Sequence, residues 1–123
     1  PGNDILDPYG GKAYPDGYEQ VKDKVVHVHV KDGVQRESGE HKFVAFGEGD
    51  INYHDPLKAL REDGYSGYLS LETYWSVKGS KVMGEGDSLD ITNGNFSELG
   101  EKSSRICMKN LLYLIDEVEE ELN

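Results

Sequence analysis

The sequence predicts an α/β protein made of parallel strand–helix units, and three observations carry that reading. Runs with strand character alternate with runs of helical periodicity, the order expected when a helix covers each parallel strand. The run VVHVHV (25–30) is β-branched apart from its two histidines and apolar on both faces, as a buried parallel strand is. Residues 99–122 place Cys107, Leu111, Leu114, Ile115, Val118 and Leu122 at spacings of three and four, which gives a long helix one apolar stripe.

The elements follow in order. Residues 1–15 are rich in turn formers (Gly2, Asn3, Pro8, Gly10, Gly11, Pro15) and are expected to be irregular. Tyr18 and Val21 share one face of a short helix that ends near Asp23. VVHVHV is the first strand, with His27 placed deeper than His29, and the charged stretch 31–42 reads as a loop. Phe43 to Phe46 form a brief second strand, stopped by Gly47-Glu48-Gly49. Asp55-Pro56 then opens a helix, Asp suiting the N-cap and Pro the first helical position. Leu57 and Leu60 give this helix its apolar edge, and Gly64 ends it.

Tyr68 to Thr73 (YLSLET) is the third strand, with Leu69 and Leu71 on one face and Ser70 and Glu72 on the other. Residues 76–95 are Gly- and Ser-rich and predict a long loop. The acidic end of the last helix, Asp116 to Glu121, opposes the helix dipole and is expected to fray. Three parallel strands cannot close a barrel and would leave apolar edges unpaired, so the chain reads as part of a larger sheet.

Composition excludes several classes. A chain of 123 residues fits a single domain, and 36% hydrophobic residues with eight Tyr fit a folded one. No apolar run approaches the roughly 20 residues that span a bilayer. The N-terminal PGNDILDPYG lacks the pattern of a secretory signal. A net charge of −11 argues against nucleic acid or an anionic membrane as partner. The single cysteine, Cys107, allows no internal disulfide and suits a cytoplasmic location.

The chemistry-bearing residues lie where two strands end. His29 closes the first strand just before Lys31-Asp32, at the end of a parallel strand where ligands bind in such folds. His27 reads as a packed, hydrogen-bonded strand histidine. Glu72 closes the YLSLET strand at the corresponding position, where an ionisable group is costly unless paired or metal-bound. An imidazole nitrogen and a carboxylate oxygen converging from neighbouring strands are the start of a divalent-metal site. Lys31 and Arg36 follow the first strand, as cations for a substrate's hydroxyls or phosphate, or as solvated loop charges. Trp75 walls the pocket or packs, and His41 and His54 read as surface or second-layer residues. Glu48 has the wrong sign for a phosphate cradle at Gly47-Glu48-Gly49, so that stretch is a tight turn.

Taken together, HVHVKD, AFGEGDINY and DPLKALREDGYSGYLSLET resemble the xylose-isomerase-like superfamily of (β/α)8 TIM barrels, especially its sugar and sugar-phosphate isomerases and epimerases. The resemblance covers about residues 1–75 and rests on the combination of segments. It implies that VVHVHV is strand six, the FVAF run strand seven, YLSLET strand eight and 99–122 the closing helix. Pro1-Gly2-Asn3 resembles the stretch just past strand five, where members often read Asp-Pro-Gly-Asn. Residues 1–123 would then be the C-terminal portion of one barrel domain, whose full length is about 250 residues.

The resemblance further implies one divalent ion (Mn, Mg, Co or Zn) held by Glu, Asp, His and Glu side chains. The last two correspond to His29 and Glu72, and the first two would lie upstream of Pro1. Glu72 would also be one of two proton-transferring glutamates, with Lys31 beside the substrate. The implied reaction is sugar isomerisation or epimerisation through an enediolate. A dehydratase of the inosose type, or a non-catalytic barrel fragment that binds a sugar or partner protein, are the alternatives. The partner is a sugar or sugar phosphate, with homo-oligomer formation left open. The superfamily's apurinic-site endonucleases carry an Asp-x-His metal pair before the strand-seven turn; His41 and Phe43 stand there, and phenylalanine ligates no metal.

Overall fold

The computed structural model describes residues 1–3, 11–76, 79–80 and 96–123. A short helical stretch at Ala13–Gly17 leads into helix α1 (Tyr18–Val21) and a 3₁₀ turn at Lys22–Lys24. Strand β1 (His27–Val30) follows, then β2 (Asp32–Gln35), β3 (His41–Val44), helix α2 (His54–Glu62) and strand β4 (Tyr68–Leu71). Two-residue strands β5 (Trp75–Ser76) and β6 (Gly79–Ser80) pair antiparallel, and helix α3 spans Phe96–Leu122. Most of the loop expected over 76–95, and residues 4–10 of the N-terminal segment, lie outside the described residues.

β1 and β4 pair in parallel, with His27 opposite Tyr68 and His29 opposite Ser70. The connection between them carries α2, which makes the expected parallel β-α-β unit. The strand is not apolar on both faces, however. Val30 is fully buried while His27 and His29 are exposed, so the Val/His alternation of the sequence is itself the inside/outside pattern. His27 is accordingly not a buried packing residue; its ring sits edge-on to that of His29, with centroids 5.1 Å apart.

The FVAF run does not lie between these strands as a parallel seventh strand. β3 ends at Val44 and pairs antiparallel with β2, Phe43 opposite Gly33. The stretch read as a charged loop therefore holds one arm and the turn of a hairpin. Arg36 N–H donates to the Glu40 carbonyl at 2.7 Å, and Gly39 takes φ +83°, a value L side chains rarely adopt. Ala45 and Phe46, just past β3, are buried in the core.

Helix α2 begins two residues earlier than expected, at His54 rather than Pro56. Tyr53 is its N-cap, and Asn52 supplies the capping oxygen, accepting the Asp55 N–H at 3.3 Å. Its C-terminus is closed as the sequence predicts. Gly64 at φ +78° donates to the Arg61 carbonyl at 3.1 Å, and Tyr65 donates to that of Leu60 at 2.9 Å. These are the paired bonds of a Schellman motif.

The core gathers Val30, Ala45, Phe46, Tyr53, Leu57 and Leu60 against Cys107, Leu111 and Val118 of α3. Polar bonds fix α3 in register: Cys107 Sγ accepts the Phe46 N–H at 3.4 Å, and Asn110 Nδ2 donates to the Phe46 carbonyl at 2.7 Å. The acidic end of α3 remains helical to Leu122 rather than fraying. Its carboxylates face the cations of α2: Glu119 lies 2.6 Å from Arg61 Nε, and Glu121 lies 2.9 Å from Lys58 Nζ and 2.8 Å from His54 Nε2. Opposed charge on a neighbouring helix offsets what the helix dipole disfavours.

Candidate functional site

The β1–β4 register builds the site. His29 stands opposite Ser70, and one pair further along the same face Lys31 comes opposite Glu72. The ladder continues that far, because Glu72 N–H donates to the Val30 carbonyl at 2.9 Å. Glu72 Oε2 accordingly lies 3.3 Å from His29 Nδ1 and 2.8 Å from Lys31 Nζ. Tyr74 OH donates to the other oxygen, Oε1, at 3.3 Å. The Lys31 ammonium, with lesser help from Tyr74 and His29, holds the Glu72 carboxyl below the usual carboxylate range.

His29, Lys31 and Glu72 line a cavity of about 440 Å³ together with Gly2, Tyr14, Val25 and His27. Gly2 lies so close to Lys31 that a Cβ there would collide with the lysine stem and carbonyl. The N-terminal residues Pro1 to Asn3 thus sit at the mouth of the strands, beside His29 and Glu72.

Lys31 is held from several sides. Its N–H donates to Tyr53 OH at 3.0 Å, and that hydroxyl donates to the Lys31 carbonyl at 2.6 Å. Its ammonium lies 4.9 Å from the Tyr74 ring centroid and 5.9 Å from that of Phe43. Phe43 is buried and packs against Tyr74 with ring centroids 5.0 Å apart, so the two rings form a wall for the lysine.

Two of the expected site residues are placed elsewhere. Arg36 lies at the hairpin turn, its Nη1 3.6 Å from Glu40. Trp75 packs on the core and is not among the residues lining the cavity.

Asp32 is the residue that sequence reasoning passed over. It is 3% exposed, and its carboxylate accepts N–H bonds from Gly33, Gly47 and Gly49 at 2.8, 2.9 and 3.0 Å and one from Ile51. Burial pushes its pKa up, and the amide bonds oppose that. Gly49 must be glycine, since a Cβ there would overlap the carboxylate. The Gly47-Glu48-Gly49 turn is therefore a cradle for an internal anion, and the two glycines fifteen and seventeen residues after an Asp were its signal.

The donor set suits a divalent ion. A 3.3 Å separation between an imidazole nitrogen and a carboxylate oxygen is about what two ligands of one ion, each near 2.1 Å from it, would show. Among the described residues no group of three or more His, Cys, Asp and Glu gathers for a metal, so this pair would need further donors. No helix among them is long and apolar enough to cross a membrane.

His29, Lys31 and Glu72 thus meet at the C-terminal ends of two adjacent parallel strands of an α/β chain, the end at which parallel α/β proteins place their sites. Comparison of the sequence with family models agrees: the xylose isomerase-like TIM barrel family matches residues 6–91, and the chain belongs to that family. No curated protein and no solved structure matches the chain.

Proposed function

We propose that the chain is the C-terminal portion of a divalent-metal-dependent sugar or sugar-phosphate isomerase or epimerase. The observation that carries this reading is the meeting of His29 Nδ1 and Glu72 Oε2 at 3.3 Å across the parallel pair. Membership of a family that includes such enzymes supports it.

The roles follow from the contacts. His29 and Glu72 would hold the ion, which when bound would polarise a sugar's carbonyl and neighbouring hydroxyl and so acidify the adjacent C–H. Glu72 is kept ionised by Lys31, as a group that takes a proton must be. It would remove or return the proton of the substrate carbon, with a second carboxylate on the opposite face of the sugar. Return to the same carbon from the other face inverts it, and delivery to the neighbouring carbon isomerises the sugar. Lys31 lies close enough to Glu72 to bond a substrate hydroxyl at the same time. Arg36, paired at the hairpin turn, and Trp75, packed on the core, have no part in this scheme.

The test is a substrate screen on the complete gene product with Mn²⁺, Mg²⁺, Co²⁺ or Zn²⁺ added, following ketose–aldose interconversion and C3 epimers. Turnover of at least one sugar, abolished in Glu72→Gln, is the expected result. Elimination of water from an inosose would instead identify the dehydratase. Turnover unchanged by Glu72→Gln would refute the assigned role.

A further inference from the structure

We propose that Lys31 is a built-in competitor for the metal position, its ammonium occupying the Glu72 oxygen that a divalent ion would take and thereby setting the metal affinity of the site. The inference rests on His29 and Glu72 being metal ligands and adds a residue that acts against them.

Its basis is that one oxygen is shared. Glu72 Oε2 receives Lys31 Nζ at 2.8 Å and faces His29 Nδ1 at 3.3 Å, so both the lysine and the imidazole address the same atom. The second carboxylate oxygen is engaged by Tyr74 OH. An ion seated between His29 and Glu72 would meet a full positive charge at hydrogen-bond distance from its own ligand atom. Two positive charges that close repel strongly in a partly dehydrated site. The ion must displace the ammonium or bear the repulsion, and either lowers its affinity.

Lys31 is also not a free surface lysine that yields at no cost. Its side chain is only 11% exposed, where that of Lys58 is 35% exposed. The ammonium lies over the Tyr74 and Phe43 rings, the backbone is tied at both N–H and carbonyl to Tyr53 OH, and Gly2 leaves room for the stem. Leaving this sleeve gives up both ring contacts and the ion pair. In exchange, the lysine keeps Glu72 oriented and charge-compensated whenever no metal is bound, which removes the cost of an unpaired carboxylate at the cavity. Metal would be retained only when further donors outweigh the lysine.

The experiment is a calorimetric titration of the metal-free complete gene product with Zn²⁺ alone, for wild type, Lys31→Met, Lys31→Gln and Glu72→Gln. The Lys31 variants are expected to bind Zn²⁺ about tenfold more tightly or better, as loss of a neighbouring like charge requires. Equal or weaker binding in the Lys31 variants, with Glu72→Gln still losing affinity, would overturn the competition and leave the ligand assignment standing. Zn²⁺ binding that is absent throughout, or indifferent to Glu72→Gln, would instead remove the ligand assignment and the proposal with it. A wild-type measurement guards against misfolded variants: Zn²⁺ should shift the side-chain NMR signals of Lys31. Unmoved Lys31 signals at saturating Zn²⁺ would also overturn the proposal.

Discussion

His29 Nδ1 and Glu72 Oε2 stand 3.3 Å apart although 43 residues separate them in the chain. The relationship is a consequence of register. β1 and β4 are parallel neighbours, so their ends fall at one rim and their same-face residues converge there. Everything between them, the β2–β3 hairpin and α2, is what returns the chain to that rim.

The Asp32 cradle should be the most sensitive polar feature of the fold. Asp32→Ala removes the acceptor for buried or half-buried amides of Gly33, Gly47 and Gly49. A loss of about 2–4 kcal/mol in urea-induced unfolding is expected, since hydrogen bonds to charged groups are worth about 1.5–3 kcal/mol and the orphaned amides add to that. Gly49→Ala should destabilise as well, through collision with the same carboxylate. A loss below about 0.5 kcal/mol for Asp32→Ala would mean that the cradle contributes little.

Packing of α3 is expected to follow ordinary core behaviour. Leu111 is 2% exposed within the cluster that joins α3 to Phe46 and Val30. Leu111→Ala should cost about 2–5 kcal/mol, while Leu112→Ala, at a 53% exposed position of the same helix, should change stability by no more than about 0.5 kcal/mol. Equal losses at the two sites would contradict the helix orientation.

The C-cap of α2 gives a local test. Gly64 holds φ +78°, and a Cβ there would meet nothing nearby, so a substitution reports on backbone conformation alone. Gly64→Ala is expected to lower stability by about 1–2 kcal/mol. A neutral result by thermal unfolding would show that the Schellman turn relaxes freely.

Stability should also depend on pH through the latch between α2 and α3. His54 faces carboxylates from both ring nitrogens, Asp55 at 3.0 Å and Glu121 at 2.8 Å. Both nitrogens can donate only in the imidazolium. The hydrogen bonds to Asp55 and then Glu121 raise the His54 pKa above its ordinary 6.5. The contribution is therefore full below about 6.5 and is lost as pH rises through the raised folded value. Glu121 is held below its ordinary 4.5 by Lys58 first and His54 next, and Asp55 below 3.8 by His54 and then Asn52. Their contributions are present above those ordinary values and are lost as pH falls through the lowered ones. The stability difference between wild type and His54→Gln should peak between about pH 4.5 and 6.5 and shrink by pH 9. A difference that grows toward pH 9 would contradict the assignment.

Much of the fold was legible in the sequence, and the failures have physical causes. The parallel run of β1 and β4, the end of α2 and the stripe of α3 were legible from the alternation of elements, from periodicity and from Gly64, whereas the direct pairing of β1 with β4 was not. The convergence of His29 with Glu72 followed once both were placed at strand ends. The hairpin was missed because β2 begins with Asp32, a charged residue that is buried only because distant glycine amides receive it. Ser38-Gly39, just before β3, was the available turn signal. The start of α2 was misplaced because Asn52, not Asp55, supplies the cap oxygen. The stability of the acidic end of α3 depends on Arg61, Lys58 and His54 of another helix, which no local pattern reveals.

The central claim, that His29 and Glu72 together hold a divalent ion, is tested most directly by Mn²⁺ binding to the complete gene product, followed by electron paramagnetic resonance. Wild type should bind, and His29→Ala and Glu72→Gln should each weaken binding about tenfold or more. Mn²⁺ affinity unchanged in both variants would contradict the account.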